Sequence, residues 1–170
     1  MRSKPGALPE CPCAATVETV GEWWSILILR DAMQGFTRFD QFQRSLGIAP
    51  NMLARRLKHL SASGIFERRL YSARPARYEY VLTEKGRDFF PVIAAMVAWG
   101  NRHFARDGAS LLLADRATGC ALDPILVDSA SLQPIDADTA MAVAGPQASP
   151  QMRERLATVT ALRLISSPNS

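Results

Sequence analysis

The order of hydrophobic patterns predicts a mostly α fold with a minor β part (α+β), and three observations predict it. In the segment IAPNMLARRLKHL, Ile48, Leu53, Leu57 and Leu60 recur at helical spacing and define one buried stripe, while Asn51, Arg55, Arg56 and Lys58 fall on other faces. A shorter amphipathic segment precedes it, and the two are separated by Gly47 and Pro50, a breaker followed by a residue suited to a first helical turn. The runs Ile65 to Leu70 and Arg77 to Leu82, rich in β-branched, aromatic and charged residues, flank a turn-like connection from Tyr71 to Ala76. Two helices meeting at a glycine-containing turn, then a hairpin, make a winged helix-turn-helix.

The remaining elements follow in order. Residues 1–10 read as a flexible arm, and a short helix is expected from Ala14 to Val20, closed by Gly21. Trp23 to Met33 (WWSILILRDAM) is apolar on nearly every face, so this helix is expected at the centre of a small core. Thr37 is the expected N-cap of the next helix, with Phe39 and Phe42 inward and Arg38, Gln41 and Arg44 outward. After the hairpin, Thr83 is expected to cap a long helix reaching about Asp107, with Gly86 and Pro91 as mild irregularities. Its Phe89, Phe90, Val92, Ile93, Met96, Val97, Trp99 and Phe104 exceed what one small core can cover, so a dimerisation helix is expected. Residues 108–170 change texture to short apolar runs broken by Gly, Asp and Pro. They are read as a small C-terminal extension of one or two hairpins and a terminal helix over 151–164.

Charge divides the same way. The 170 residues carry a net +4, which splits into +6 over residues 1–107 and −2 over the remainder. Between residues 38 and 87 eleven Lys and Arg face only Asp40, Glu67, Glu79 and Glu84, a concentration suited to a polyanion. Composition alone fits a solvated basic face equally well; position along the elements favours double-stranded DNA. Asn51 and Arg55, near the start of the arginine-bearing helix, are the expected base readers, since Asn suits adenine and Arg suits guanine. Pro50 opens that helix, and Arg56 and Lys58 are expected to read bases or neutralise phosphate. Thr37 and Arg38 suit a phosphate through free N–H groups at a helix start. Arg74 and Arg77 flank Pro75 at the wing tip, where an arginine enters a minor groove.

Other chemistries find less support. Three cysteines, Cys11, Cys13 and Cys120, make no disulfide framework, so a reducing cytoplasm is the expectation. Signal-peptide patterning is missing, and the longest aliphatic run, Ile26 to Leu29, is too short for a bilayer. Cys-x-Cys with His59 or His103 is a weak zinc spacing, and no cofactor is expected. With no nucleophile, base and acid at recognisable spacing and no glycine-rich phosphate loop, an enzyme is not expected. Cys11, at a helix start, is a candidate redox switch, with Cys13 as a resolving partner or a buried residue. The aromatic residues leave room for a small-molecule effector.

These residues together resemble the HxlR family of bacterial winged helix-turn-helix regulators over about residues 11–106. The resemblance is carried by Cys11 and Pro12 with Trp24 thirteen positions beyond Cys11, by LILRD at 27–31, by L-x-x-L-x-x-x-G from Leu57 to Gly64 and by R-x-E-Y-x-L-T-x-x-G from Arg77 to Gly86. It implies a homodimer pairing through its N-terminal helix and long C-terminal helix, and a sequence-specific regulator, a repressor, reading an inverted-repeat operator. In some relatives the cysteine near the N-terminus responds to oxidants, which is what the resemblance implies for Cys11. Glu22 and Trp23 depart from a Gly-Lys often found before the tryptophan, and Cys120 alone cannot build the cysteine-paired tail of related chains. A winged-helix protein-interaction module without specific DNA binding is the alternative from a different class.

Overall fold

The computed structural model describes residues 10–166. The expected arm at residues 1–10 therefore lies, but for Glu10, outside the described residues. Contacts divide the chain into two compact units, Thr16–Ile125 and a second formed by Leu126–Ser170 with Met1–Ala15. The division falls later than the boundary expected near residue 107, because the first hairpin of the C-terminal extension belongs to the larger unit.

That unit is built from α1 (Pro12–Val20, its end only), α2 (Trp23–Met33), α3 (Phe39–Leu46), α4 (Pro50–Ala62), β1 (Phe66–Ala73), β2 (Ala76–Leu82), α5 (Glu84–Arg87), α6 (Phe90–Phe104), β3 (Leu113–Ala114) and β4 (Ala121–Leu122). Its core joins Ile28 and Leu29 of α2, Phe42 of α3 and Leu53, Leu57 and Leu60 of α4, all fully buried, with Ile48, Ile65, Phe66 and Ile93 around them. The stripe read from the sequence is thus the stripe that is buried. Each of its leucines contributes about 1.5–3 kcal/mol by leaving water. Phe36, Phe42, Phe66 and Tyr80 continue the core in three successive edge-to-face contacts, each with centroids 6.4 Å apart, linking α3 to the hairpin.

Local chemistry sets the turns. Gly47, at φ 60°, adopts the left-handed conformation that ends α3, and Pro50 occupies the first position of α4 after an extended Ala49. At the other end of α4 the Gly64 N–H donates to the Ser61 carbonyl and the Ile65 N–H to the Leu60 carbonyl, at 3.0 and 2.9 Å, a Schellman closure. Thr83 caps α5 as expected: its hydroxyl oxygen accepts from the Gly86 N–H at 3.1 Å and its O–H donates to the Gly64 carbonyl at 2.6 Å.

Three elements differ from the sequence reading. The cap of α3 is Arg38, not Thr37, because Thr37 and Arg38 are drawn out straight alongside β2. The Tyr80 N–H donates to the Thr37 carbonyl at 2.7 Å, and Arg38 forms a β-bridge with Glu79. The wing strands are longer than expected. A bulge between Leu70 and Ser72 absorbs one residue, so the ladder resumes to Ala73 opposite Ala76 and only Arg74 and Pro75 form the tip. The single long helix after Thr83 is two helices, broken at Asp88 and Phe89. Pro91, which has no N–H to donate backwards, sits in the first turn of a new helix instead of inside an old one.

The second unit holds α7 (Pro150–Ser166) and a bridge between Val127 and Pro134, with turns closed by Asp128 and Asp136. Ser149 caps α7, its hydroxyl oxygen accepting from the Met152 N–H at 3.1 Å. The Glu10 carboxylate accepts in turn from the Ser149 N–H at 3.0 Å and from its hydroxyl, bonds that hold the carboxyl below its ordinary pKa range. Beyond residue 107 the described residues hold one hairpin, β3 with β4, and one helix, α7. Among the described residues no helix is long and apolar enough to cross a membrane.

Candidate nucleic-acid interface

The spacing of α4 sorts its polar side chains. Asn51, Arg55 and Lys58 stand at i, i+4 and i+7, one face of the helix, and all three are exposed. The Asn51 side-chain oxygen Oδ1 accepts from the Met52 N–H at 2.8 Å, which orients the side chain at the helix start, and Arg55 lies against the Met52 sulfur at 3.0 Å. Pro50 is exposed beside them.

Arg56 departs from the expected placement. Its side chain is only 13% exposed and pairs with Glu22, the residue heading α2, at 3.1 Å. The reason is positional: Arg56 lies three residues after Leu53 and four before Leu60, so the helix carries it to the edge of the buried stripe. That offset was readable in the sequence. Glu22 is the partner that makes the position tenable. His59 is likewise turned inward, a ring nitrogen 3.0 Å from the Thr19 carbonyl.

At the start of α3 the N–H groups of Thr37 and Arg38 are not free for a phosphate, contrary to expectation. Both donate to the Gln41 side-chain oxygen, at 3.0 and 2.9 Å. What Arg38 offers is its guanidinium, which lies 4.5 Å from the centre of the Tyr71 ring on the wing.

On the hairpin, Arg74 at the tip and Arg77 opposite Ser72 are exposed, with no ion pair among the described residues. Arg68 and Arg69 are both exposed, although strand alternation would send only one outward, because a two-stranded ribbon has solvent on both faces. They are nevertheless engaged: Arg68 lies 3.5 Å over the Tyr78 ring, and Arg69 pairs with Glu67 at 2.8 Å. The pair holds the Glu67 carboxyl below its ordinary pKa and raises that of Arg69. The tyrosines at 71 and 78, which the sequence reading does not single out, hold two arginines in place. No local spacing marks them, since Tyr71 holds an arginine at the start of α3 and Tyr78 one on the facing strand.

Cys11 and Cys13 belong to the second compact unit. Cys11 heads α1, its carbonyl accepting from the Ala15 N–H at 3.1 Å, and is half-buried; Cys13 is exposed rather than buried. Residues two apart on a helix do not face one another, so α1 does not offer Cys13 as a resolving thiol for Cys11. Among the described residues no group of three or more His, Cys, Asp or Glu is placed to hold a metal ion.

Two helices at a tight turn, the second with a polar outer face, and a basic hairpin following it define a winged helix-turn-helix of the DNA-binding type. The HxlR-like helix-turn-helix family matches residues 19–108, more than half of the sequence, and the chain belongs to this family. It is similar to Rv3095 of Mycobacterium tuberculosis, an uncharacterised HTH-type transcriptional regulator, at 43% identity over 112 residues, covering 65% of this chain and 71% of that one. Among solved structures it is similar to PA1374 of Pseudomonas aeruginosa, a candidate transcription factor, with 52% identity and a TM-score of 0.63 over 86% of this chain and 100% of that one. A further similar structure is the redox regulator HypR in its reduced form, with 33% identity and a TM-score of 0.52 over 57% of this chain and 99% of that one. The chain is a transcriptional regulator with a helix-turn-helix DNA-binding fold.

Proposed function

We propose that this protein is a homodimeric repressor that reads an inverted-repeat operator, with Asn51 and Arg55 on base edges, Lys58 and Arg38 on phosphates, and Arg74 or Arg77 in the flanking minor groove. The observation that carries the reading is the common exposed face of Asn51, Arg55 and Lys58 on a helix followed directly by an arginine tip that makes no ion pair among the described residues. Arg56 is left out of the reading set, since Glu22 already holds it.

Pairing is supported by the apolar surface that α6 leaves uncovered. Val92, Met96, Trp99 and Phe104 are 43%, 48%, 54% and 70% exposed, an arrangement a second copy covers isologously. Two recognition helices about 34 Å apart then meet successive turns of one face of the duplex. The test is light scattering combined with a gel shift on a selected operator. The native chain is expected as a dimer binding an inverted repeat, and Trp99→Glu as a folded monomer that binds half-sites weakly. A native monomer with full operator affinity refutes the pairing. A protein that binds no DNA at moderate salt, yet captures a single protein partner, reverses the whole reading in favour of an interaction module.

Oxidant gating through Cys11 is a second reading, favoured by its half-buried place at the head of α1 and by the likeness to HypR. With Cys13 two positions along from it, the thiol that pairs with an oxidised Cys11 is one other than Cys13. Cys11→Ser is expected to abolish the response of DNA binding to diamide; an unchanged response removes the reading.

A further inference from the structure

Between the C-terminal end of α2, strand β2 and the start of α6 lies a cavity of about 550 Å³, within the range of small-molecule sites. Phe36, Tyr80, Leu82 and Phe90 make its walls largely apolar, and no carboxylate lines it. The charged residues that do are Arg87 and Arg116. One nitrogen of the exposed Arg87 donates to the Leu82 carbonyl at 2.7 Å, and its side chain makes no other hydrogen bond or ion pair among the described residues. Arg116 forms no hydrogen bond or ion pair among the described residues. It stands in the turn between β3 and β4, whose shape is set by Asp115. That carboxylate accepts from the N–H groups of Ala117 and Thr118 at 3.1 and 2.8 Å, so its charge is satisfied within its own turn.

Apolar walls with two guanidiniums and no counter-charge suit a flat hydrocarbon ring that carries one anion. The place of the cavity gives binding a consequence. Thr37 and Tyr80 both line it, and the 2.7 Å bond between them is the joint that sets the wing against α3.

We propose that this cavity is an effector site for a compact aryl carboxylate, whose ring lies against Phe36, Tyr80 and Phe90 and whose carboxylate meets Arg116 and Arg87. Occupancy bears on the Thr37–Tyr80 joint and alters the stance of the wing on DNA. The second statement rests on the DNA-binding reading above; the first does not.

The experiment is calorimetric titration of the full chain, without DNA, using 2-naphthoate as the probe and 2-naphthalenemethanol as its uncharged counterpart. Saturable binding of naphthoate is expected, weakened about tenfold both by loss of the probe's charge and by Arg116→Ala. Ala32→Phe, which fills the cavity, is expected to abolish it, and circular dichroism checks that both variants are folded. No saturable heat up to millimolar naphthoate overturns the site, as does binding indifferent to both the probe's charge and Arg116→Ala. In a gel shift, naphthoate is expected to change the DNA affinity of the native chain and not of Arg116→Ala. Intact DNA binding that ignores bound naphthoate overturns the coupling. A chain that binds no DNA fails the earlier reading, while the calorimetry still decides the cavity.

Discussion

The guanidinium of Arg38 rests 4.5 Å from the centre of the Tyr71 ring, tying the start of α3 to the middle of the wing. With the Tyr80 to Thr37 hydrogen bond and the Arg38–Glu79 bridge, it makes the hairpin part of the helix-turn-helix rather than an independent ribbon. A two-stranded hairpin alone is marginal in water, so this attachment gives the wing a defined position. Tyr71→Ala is expected to cost about 0.5–1 kcal/mol of attachment and to weaken operator binding without relaxing base preference. A fluorescence-anisotropy titration over single-base operator variants checks both halves.

Arg55→Ala is expected to act differently. Loss of a bidentate base contact costs about 1–3 kcal/mol and relaxes preference at one operator position per half-site. Selection of bound sequences from a random pool, native against variant, shows it directly. An unchanged consensus with unchanged affinity means that Arg55 does not read.

The wing arginines are expected to contribute through phosphates and groove potential. Arg74→Ala and Arg77→Ala should weaken binding to many sequences alike, each lowering the slope of log K against log salt by about 0.9 for every phosphate that the arginine neutralises. Affinities measured across a salt series on specific and random duplexes separate this from a loss of specificity.

Arg56→Ala is expected to affect the fold before the operator. The residue is largely buried and its partner Glu22 is about half exposed, so solvent screening limits the pair to about 1 kcal/mol, to which the packing of the arginine stem adds. Urea unfolding should shift to lower midpoint, while the selected consensus stays native. A changed consensus with native stability places Arg56 in the groove after all.

Gly86 lets α5 pack directly against the backbone at Ile65. A Cβ at that position would stand 2.4 Å from the Ile65 carbonyl oxygen and 2.9 Å from the Leu82 side chain. Backbone cannot yield as a side chain tip can, so Gly86→Ala is expected to destabilise by about 2 kcal/mol or more. Thermal unfolding of the variant checks it, with Gly100→Ala as the control because nothing lies within 4 Å of a Cβ there.

Local patterns placed α2 by its all-round apolar surface, the hairpin by its residue types, and α4 by periodicity, which also named the buried leucines of α4, because a stripe at helical spacing has only one face to hide. The same periodicity placed Asn51, Arg55, Arg56 and Lys58 on the outer faces, and of these all but Arg56 are exposed. Contacts between elements decided the rest. Arg56, set at the edge of the stripe by its place in α4, finds Glu22 there only because the folded chain brings the start of α2 to it, and Thr37 leaves the cap of α3 only because β2 offers a strand to pair with. The wing lengthens through a bulge that no local pattern announces, and α6 starts afresh where a proline's missing donor cannot be made good. Local spacing determines which side of an element faces the interior, since that depends on residues a few positions apart. Where a charged side chain finds its partner depends on residues distant in sequence, and only the folded chain brings them within reach.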